Sequence, residues 1–134
     1  MKHIYGERCS GKTMACFALA RKERAYLIVK NKKVLRIMAE MEGYSDIIQR
    51  IISYEDYLEL KRIGAIRDKK IVIDEAGSLL QEIFGENLVG YSENIRDLPL
   101  ENYVFLENLL APDHLEEFYN NEKIVFKPYD EWEI

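Results

Sequence analysis

The stretch that decides the fold is Gly6-Glu7-Arg8-Cys9-Ser10-Gly11-Lys12-Thr13, which matches the pattern G-x-x-x-x-G-K-[ST] at every fixed position. It follows a short apolar segment, residues 3–5, and opens a run over residues 12–23 that lacks Gly and Pro and is rich in Ala, Leu and Met. This order predicts a strand, a glycine-bounded loop and a helix. In such a loop, backbone N–H groups turn inward around an anion, and the helix N-terminus adds positive potential.

Each residue type in this loop suits a contact with phosphate or with a cation. We expect Lys12 to reach β- and γ-phosphate oxygens, where it also serves catalysis, and the Thr13 hydroxyl to ligate Mg²⁺. The stretch and the residue after it are therefore the predicted nucleotide-binding residues: Gly6, Glu7, Arg8, Cys9, Ser10, Gly11, Lys12, Thr13 and Met14.

A second motif, Ile71-Val72-Ile73-Asp74-Glu75, combines three β-branched residues with two acids. An apolar strand that ends in an acid delivers a carboxylate to the carboxyl edge of a parallel sheet, where open α/β folds bind their ligands. We expect Asp74 to hold Mg²⁺ through water, and Glu75 to orient an attacking water or take its proton.

Apolar periodicity along the chain alternates between strand and helix. The predicted helices are 12–23, a second one that Asn31 caps and Gly43 ends, 53–63, 78–84 and 114–120. The predicted strands are 3–5, 25–31, 50–53, 69–74, 103–106 and 124–127. Such alternation implies parallel pairing with right-handed crossovers. We therefore expect an α/β fold in three layers, with an open, mostly parallel sheet and helices on both faces.

The length and composition favour one domain over residues 1–134, and the two motifs predict that this domain binds a nucleotide. The chain is 48% hydrophobic and 32% charged, enough to bury a core. Within it we expect residues 85–101 to form a long loop and residues 111–134 a C-terminal extension. The two cysteines, Cys9 and Cys16, fit reduced thiols, and no leader or membrane-spanning run is visible, so the expected location is the cytoplasm.

Both motifs resemble those of the P-loop nucleoside triphosphatases. GERCSGKT is similar to their Walker A motif and IVIDEAG to their Walker B motif, and the pattern extends over about residues 1–110. The Asp-Glu pair resembles the division with an additional strand, which includes RecA-like and AAA-type ATPases, and the small size resembles compact bacteriophage ATPases. The resemblance implies Mg²⁺-dependent ATP binding with slow hydrolysis. It also implies a polar γ-phosphate sensor after the next strand, for which Asn108 suits better than Glu107, and an arginine such as Arg8 or Arg96. The alternatives are that Glu107 and Asn108 only cap a turn and that Arg96, isolated among acids, is a surface ion-pair partner.

The charge distribution adds candidate partners. Residues 1–70 carry a balance of +7 and residues 71–134 one of −12, which together give the net charge of −5. In the basic half, Lys30, Lys32, Lys33 and Arg36 form a cluster at the end of the second predicted strand and along the following helix. Solvated faces explain such a cluster, but the basic half could also attract nucleic acid. Because the chain holds little beyond a nucleotide-binding core, we expect a protein partner or homo-oligomer, in a DNA-related process. Two alternatives remain: a nucleotide-switched binding module without significant turnover, and a small phosphotransferase similar to the thymidine kinases. The sequence does not specify the base of the nucleotide.

Overall fold

The computed structural model describes residues 2–6, 11–90, 104–106 and 111–126 and shows a mixed α/β protein. Its strands are β1 (His3–Gly6), β2 (Tyr26–Ile28), β3 (Ile51–Ile52), β4 (Ile71–Ile73), β5 (Val104–Leu106) and β6 (Lys123–Phe126). Its helices are α1 (Lys12–Glu23), α2 (Lys32–Met41), α3 (Tyr54–Arg62), α4 (Ala76–Phe84) and α5 (Pro112–Asn120), with two 3₁₀ helices, Ser45–Arg50 and Gly85–Asn87. The predicted alternation of strands and helices is confirmed.

The strands form two three-stranded sheets in which every pairing is parallel. The order is β1-β6-β5 in one sheet and β3-β2-β4 in the other. The described residues divide into two compact units, one for each sheet. The first contains the chain up to Ala15 together with β5, α5 and β6, and the second begins at Cys16, inside α1, and continues through the second 3₁₀ helix.

The first unit is organised around β6, the middle strand of its sheet. Residues Ile124 and Phe126 of β6 are buried, as are Leu106 of β5 and Phe118 of α5. The Phe118 and Phe126 ring centroids lie 6.4 Å apart. Lys2 fixes the end of α5, because its ammonium donates to the Phe118 carbonyl at 2.8 Å and lies 4.9 Å from the Phe118 ring. The sheet and the last helix therefore share one small core.

The second unit is organised around β2, which has a neighbouring strand on each side. Consecutive residues Leu27 and Ile28 are both buried, as in a strand that is covered on both faces. Ile28 belongs to a core cluster with Ile52, Ile66 and Leu79. Apolar contacts from β3, the turn after α3 and α4 thus fix the sheet whose last strand carries the acidic motif.

Several element boundaries differ from the sequence prediction. Strand β2 covers only Tyr26–Ile28 of the expected 25–31, because Asn31 turns the chain into α2 by capping it. Helix α4 begins at Ala76, two residues before the expected start, and α5 begins at Pro112, which suits a first helical position. The 3₁₀ helix Ser45–Arg50 was not predicted. Of the expected loop 85–101 and extension 111–134, only residues 85–90 and 111–126 are described.

Candidate functional site

The glycine-bounded loop is described at its two ends. Strand β1 ends at Gly6, the first glycine of the motif, and α1 begins at Lys12, directly after the second glycine. Gly11 has φ +103°, a left-handed backbone conformation that residues with a side chain rarely adopt. Its carbonyl accepts from the Ala15 N–H at 3.0 Å. The first N–H groups of a helix have no partner within the helix, so they are suited to an anion.

The helical residues of the motif lie at the start of α1. Lys12, Thr13 and Met14 are half-buried, and the following turn enters the core. The structure thus confirms the predicted strand before the loop and helix after it. The four central residues, Glu7, Arg8, Cys9 and Ser10, lie outside the described residues.

The acidic motif ends β4 in the second unit. Asp74 is a buried charged residue, only 8% exposed. Its backbone N–H donates to the Ile28 carbonyl at 3.1 Å, so the chain at Asp74 stays attached to β2 after β4 ends. Its Oδ1 lies 3.8 Å from the Cys16 Sγ of α1, which donates to it as a weak partner. A carboxylate in this setting is held in one place by the sheet and by α1.

Glu75 differs from Asp74 in both exposure and backbone conformation. It is exposed and has φ 58° and ψ 59°, the left-handed region that is uncommon for a residue other than glycine. It stands directly before α4, and its carbonyl accepts from the Leu79 N–H at 3.0 Å. Such a conformation costs about 1–3 kcal/mol and is frequently found at functional sites. Nothing in the sequence pattern predicted this conformation.

A cleft of about 520 Å³ lies at the carboxyl end of β2, between the start of α2 and α4. Its lining comprises Lys30, Asn31, Lys32, Lys33, Gln81 and Glu82. The sequence indicated the lysines as a basic cluster but not their proximity to α4, which lies about fifty residues later. Lys32 is engaged by Asp56 at 2.8 Å, whereas Lys30 and Lys33 make no hydrogen bond or ion pair within the described ranges.

Other basic residues of the N-terminal half are engaged with neighbours. Arg36 donates to the Ile51 carbonyl at 3.0 Å, Lys70 pairs with Glu23, and Arg62 pairs with Glu59. Arg21 donates to the Asp46 carboxylate, and this hydrogen bond holds the pKa of Asp46 below its usual value. The basic balance of this half is therefore partly offset on its own surface, as expected for solvated faces.

The predicted site residues do not all belong to one unit, and some lie outside the described residues. Lys12 and Thr13 belong to the first unit, and Asp74 and Glu75 to the second. Asn108, Glu107 and Arg96 lie outside the described residues, so the sensor and the arginine stay predictions.

Among the described residues, no helix is both long and apolar enough to cross a membrane.

Comparisons with protein-family models, with curated proteins and with solved structures each find no match to this chain.

Proposed function

We propose that this protein binds ATP with Mg²⁺ and hydrolyses it slowly, as a small P-loop nucleoside triphosphatase. The observation that carries the proposal is the backbone around the loop. A strand ends at Gly6, Gly11 is left-handed, and a helix begins at Lys12. This strand, loop and helix order is the context in which the motif binds phosphates. The lysine then stands at a helix N-terminus, where a β- or γ-phosphate gains from both charges.

The acidic motif supports the same proposal with hard oxygen ligands. The Asp74 carboxylate and the Thr13 hydroxyl are of the kind that Mg²⁺ prefers, and this ion uses one or two protein groups beside water and phosphate. Within the described ranges, no three His, Cys, Asp or Glu side chains form a metal site of their own. When bound, Mg²⁺ would neutralise charge on the phosphate oxygens.

The different surroundings of Asp74 and Glu75 suit them to different roles. Asp74 is buried and hydrogen-bonded, which suits a fixed ligand, whereas Glu75 is exposed and stands two residues beyond the end of β4. We assign to Glu75 the orientation of the attacking water and acceptance of its proton. Cys16, on the helix that follows the loop, donates to Asp74, so replacement of this acid would also disturb α1.

Replacement of Lys12 tests the binding part of the proposal. We expect Mg-ATP to raise the unfolding temperature of the wild type, because a ligand bound only to the folded state stabilises it. Lys12→Ala should abolish this shift. The matched control is Lys22→Ala, a lysine exposed near the other end of the same helix, which should keep it. An equal shift in the wild type and in Lys12→Ala would refute nucleotide binding at the loop.

Replacement of Glu75 tests the hydrolytic part. Glu75→Gln keeps the size of the side chain and removes its basicity, so we expect retained Mg-ATP stabilisation and a loss of turnover of about 10²-fold or more. Phosphate release is the measurement. Turnover equal to that of the wild type would remove Glu75 from the mechanism and leave the binding proposal standing.

The cleft favours a second candidate function, nucleotide-dependent binding of nucleic acid. Lys30 and Lys33 present two cations without partners in the described chain, beside the helix that begins directly after Glu75. Phosphodiester groups are attracted by such cations in a salt-dependent manner. In this function α4 transmits the nucleotide state to the cleft, and hydrolysis is incidental.

Fluorescence anisotropy with a labelled single-stranded oligonucleotide tests this second function. We expect binding that strengthens with Mg-ATP, survives Glu75→Gln, and weakens severalfold with a shallower salt dependence in Lys30→Ala. Lys61→Ala, an exposed lysine on α3, is the matched control. Equal binding by the two lysine variants would exclude the cleft as the nucleic-acid site.

A further inference from the structure

Helix α2 exposes an apolar stripe that no described element covers. Val34, Ile37, Met38 and Met41 recur at intervals of three and four residues, which places them on one face. Their exposed fractions are 47%, 60%, 37% and 78%. Single exposed apolar residues are ordinary, but four in a row along one helix form a patch of the kind that marks an interaction surface.

The orientation of this helix is fixed by its opposite face. Ala39 is completely buried, and Leu35 is half-buried. Arg36 donates to the Ile51 carbonyl at 3.0 Å, and the Asn31 side chain accepts from the Val34 N–H at 3.2 Å. Because α2 is held by packing, by a backbone contact and by its cap, the stripe cannot turn inward without breaking these contacts.

The charges beside the stripe are complementary to those of an identical helix that runs in the opposite direction. Lys33 and Glu40 are seven residues apart, about two turns, so both lie on the same flank of the stripe. Both are exposed, and neither makes a hydrogen bond or ion pair within the part of the chain that the structure describes. In an antiparallel pair of identical helices, equivalent flanks face each other.

We propose that the α2 stripe docks onto the α2 stripe of a second copy of this chain, antiparallel and about a two-fold axis. Val34 then packs near Met41 of the second copy, and Ile37 near Ile37 and Met38. Lys33 pairs with Glu40 of the second copy, and the symmetry makes this pair twice. The self-complementary charge order of the flank is what selects a second copy over another partner.

The dimer is expected to be weak. Helix α2 has 10 residues, about 15 Å of length, so the stripe alone buries less than the roughly 800 Å² per partner of a standard stable interface. Dissociation in the micromolar range or above follows, and the two ion pairs contribute more to register than to affinity. This inference does not depend on nucleotide binding, so the failure of one leaves the other intact. It does compete with nucleic-acid binding in the cleft, because the Lys33 ammonium would pair either with Glu40 of the second copy or with a phosphodiester group.

Sedimentation equilibrium of the full chain between about 5 and 500 µM tests the stripe. We expect a reversible monomer–dimer equilibrium in the wild type and a monomer in both Ile37→Glu and Met41→Glu. Val89→Glu is the matched control, because Val89 is an apolar residue 99% exposed outside the stripe, and it should dimerise like the wild type. Circular dichroism checks that each variant is folded, which is expected because the replaced residues are exposed. A wild type that stays monomeric over the whole range overturns the proposal, as does an Ile37→Glu dimer.

Charge exchange separates a second copy from any other occupant of the stripe. Lys33→Glu should weaken dimerisation about tenfold, because it sets a carboxylate against the Glu40 carboxylate of the second copy. Lys33→Glu combined with Glu40→Lys should restore it, because the flank is again self-complementary. If the double variant is as weak as the single one, the antiparallel pairing is wrong. If the stripe instead receives residues 127–134 of the same chain or a different protein, neither exchange alters the association of this chain with itself, and the proposal is overturned.

Discussion

Helices α1 and α2 each follow a parallel strand, contain no Gly or Pro and have similar length, yet they are buried in opposite ways. Helix α1 has almost no apolar asymmetry and buries Ala15, Cys16, Phe17, Ala18 and Ala20. Helix α2 has the stronger apolar stripe, and its only buried residue is Ala39. Small side chains let α1 be surrounded on several sides, whereas α2 turns its largest apolar residues outward. Amphipathic strength therefore does not by itself indicate which helix is in the core.

The largest expected effect lies in α1. Phe17 is completely buried, and its ring centroid lies 5.5 Å from that of Tyr44. Phe17→Ala removes this packing and leaves a cavity, so we expect the free energy of unfolding to fall by about 3–5 kcal/mol. Urea denaturation measures it, with Phe17→Leu as a milder control. A loss of free energy of unfolding below about 1 kcal/mol would mean that α1 is not a helix of the core.

The local features of both helices could be predicted from the sequence. Helix α1 has the predicted bounds, the predicted cap Asn31 accepts the Val34 N–H, and Ser53, where the sequence predicted the third helix to begin, is the residue directly before α3. The reason is that caps and helix propensity depend on neighbouring residues alone. The direction in which the α2 stripe points depends on contacts with distant residues such as Ile51. The periodicity of the sequence therefore does not predict this direction.

The candidate site shows the same division. The loop and the acidic motif are continuous in sequence, so their patterns indicated Lys12 and Asp74 directly. Two other features depend on residues that are far apart in the chain. One is the contact between Cys16 and Asp74, and the other is the cleft that Lys30 and Gln81 both line. The left-handed backbone of Glu75 was also not predictable, because its residue type does not favour that conformation.

A smaller effect is expected at the start of α2. The Asn31 carboxamide oxygen accepts from the Val34 N–H, so Asn31→Ala leaves that donor without its cap and should cost about 1 kcal/mol. Asn31→Asp keeps an acceptor in place and should cost little, which makes it the control. The urea midpoints of the two variants measure the difference. If they are equal, α2 is held by its packed face alone, and the cap contributes nothing to the contrast between the helices.

The link from α2 to α3 should make stability depend on pH. The hydrogen bond from Lys32, joined by the Ser53 N–H, holds the pKa of Asp56 below its usual value. A lowered folded-state pKa gives stability that is present above the unfolded value and lost as the pH falls through the folded one. The pair is partly exposed, so the effect is at most about 1 kcal/mol.

Urea midpoints between pH 6 and pH 3, on a scale set by the unfolded pKa of about 3.9, measure this loss. Asp56→Asn keeps an oxygen for the Ser53 N–H and removes the charge, so its acid limb should be shallower than that of the wild type. Lys32→Met should flatten it similarly. Parallel acid limbs in all three proteins would show that other carboxylates, such as Asp46 beside Arg21, carry the pH dependence.

The smallest effect is expected on the stripe itself. Ile37 is 60% exposed, so Ile37→Ala removes few contacts, and alanine is the better helix former. At concentrations where the chain is monomeric, we expect the free energy of unfolding to change by less than about 0.5 kcal/mol. A loss of about 2 kcal/mol or more at such concentrations would mean that the folded monomer covers this face. In that case α2 would be a second core helix, and its contrast with α1 and the dimer built on it would both be lost.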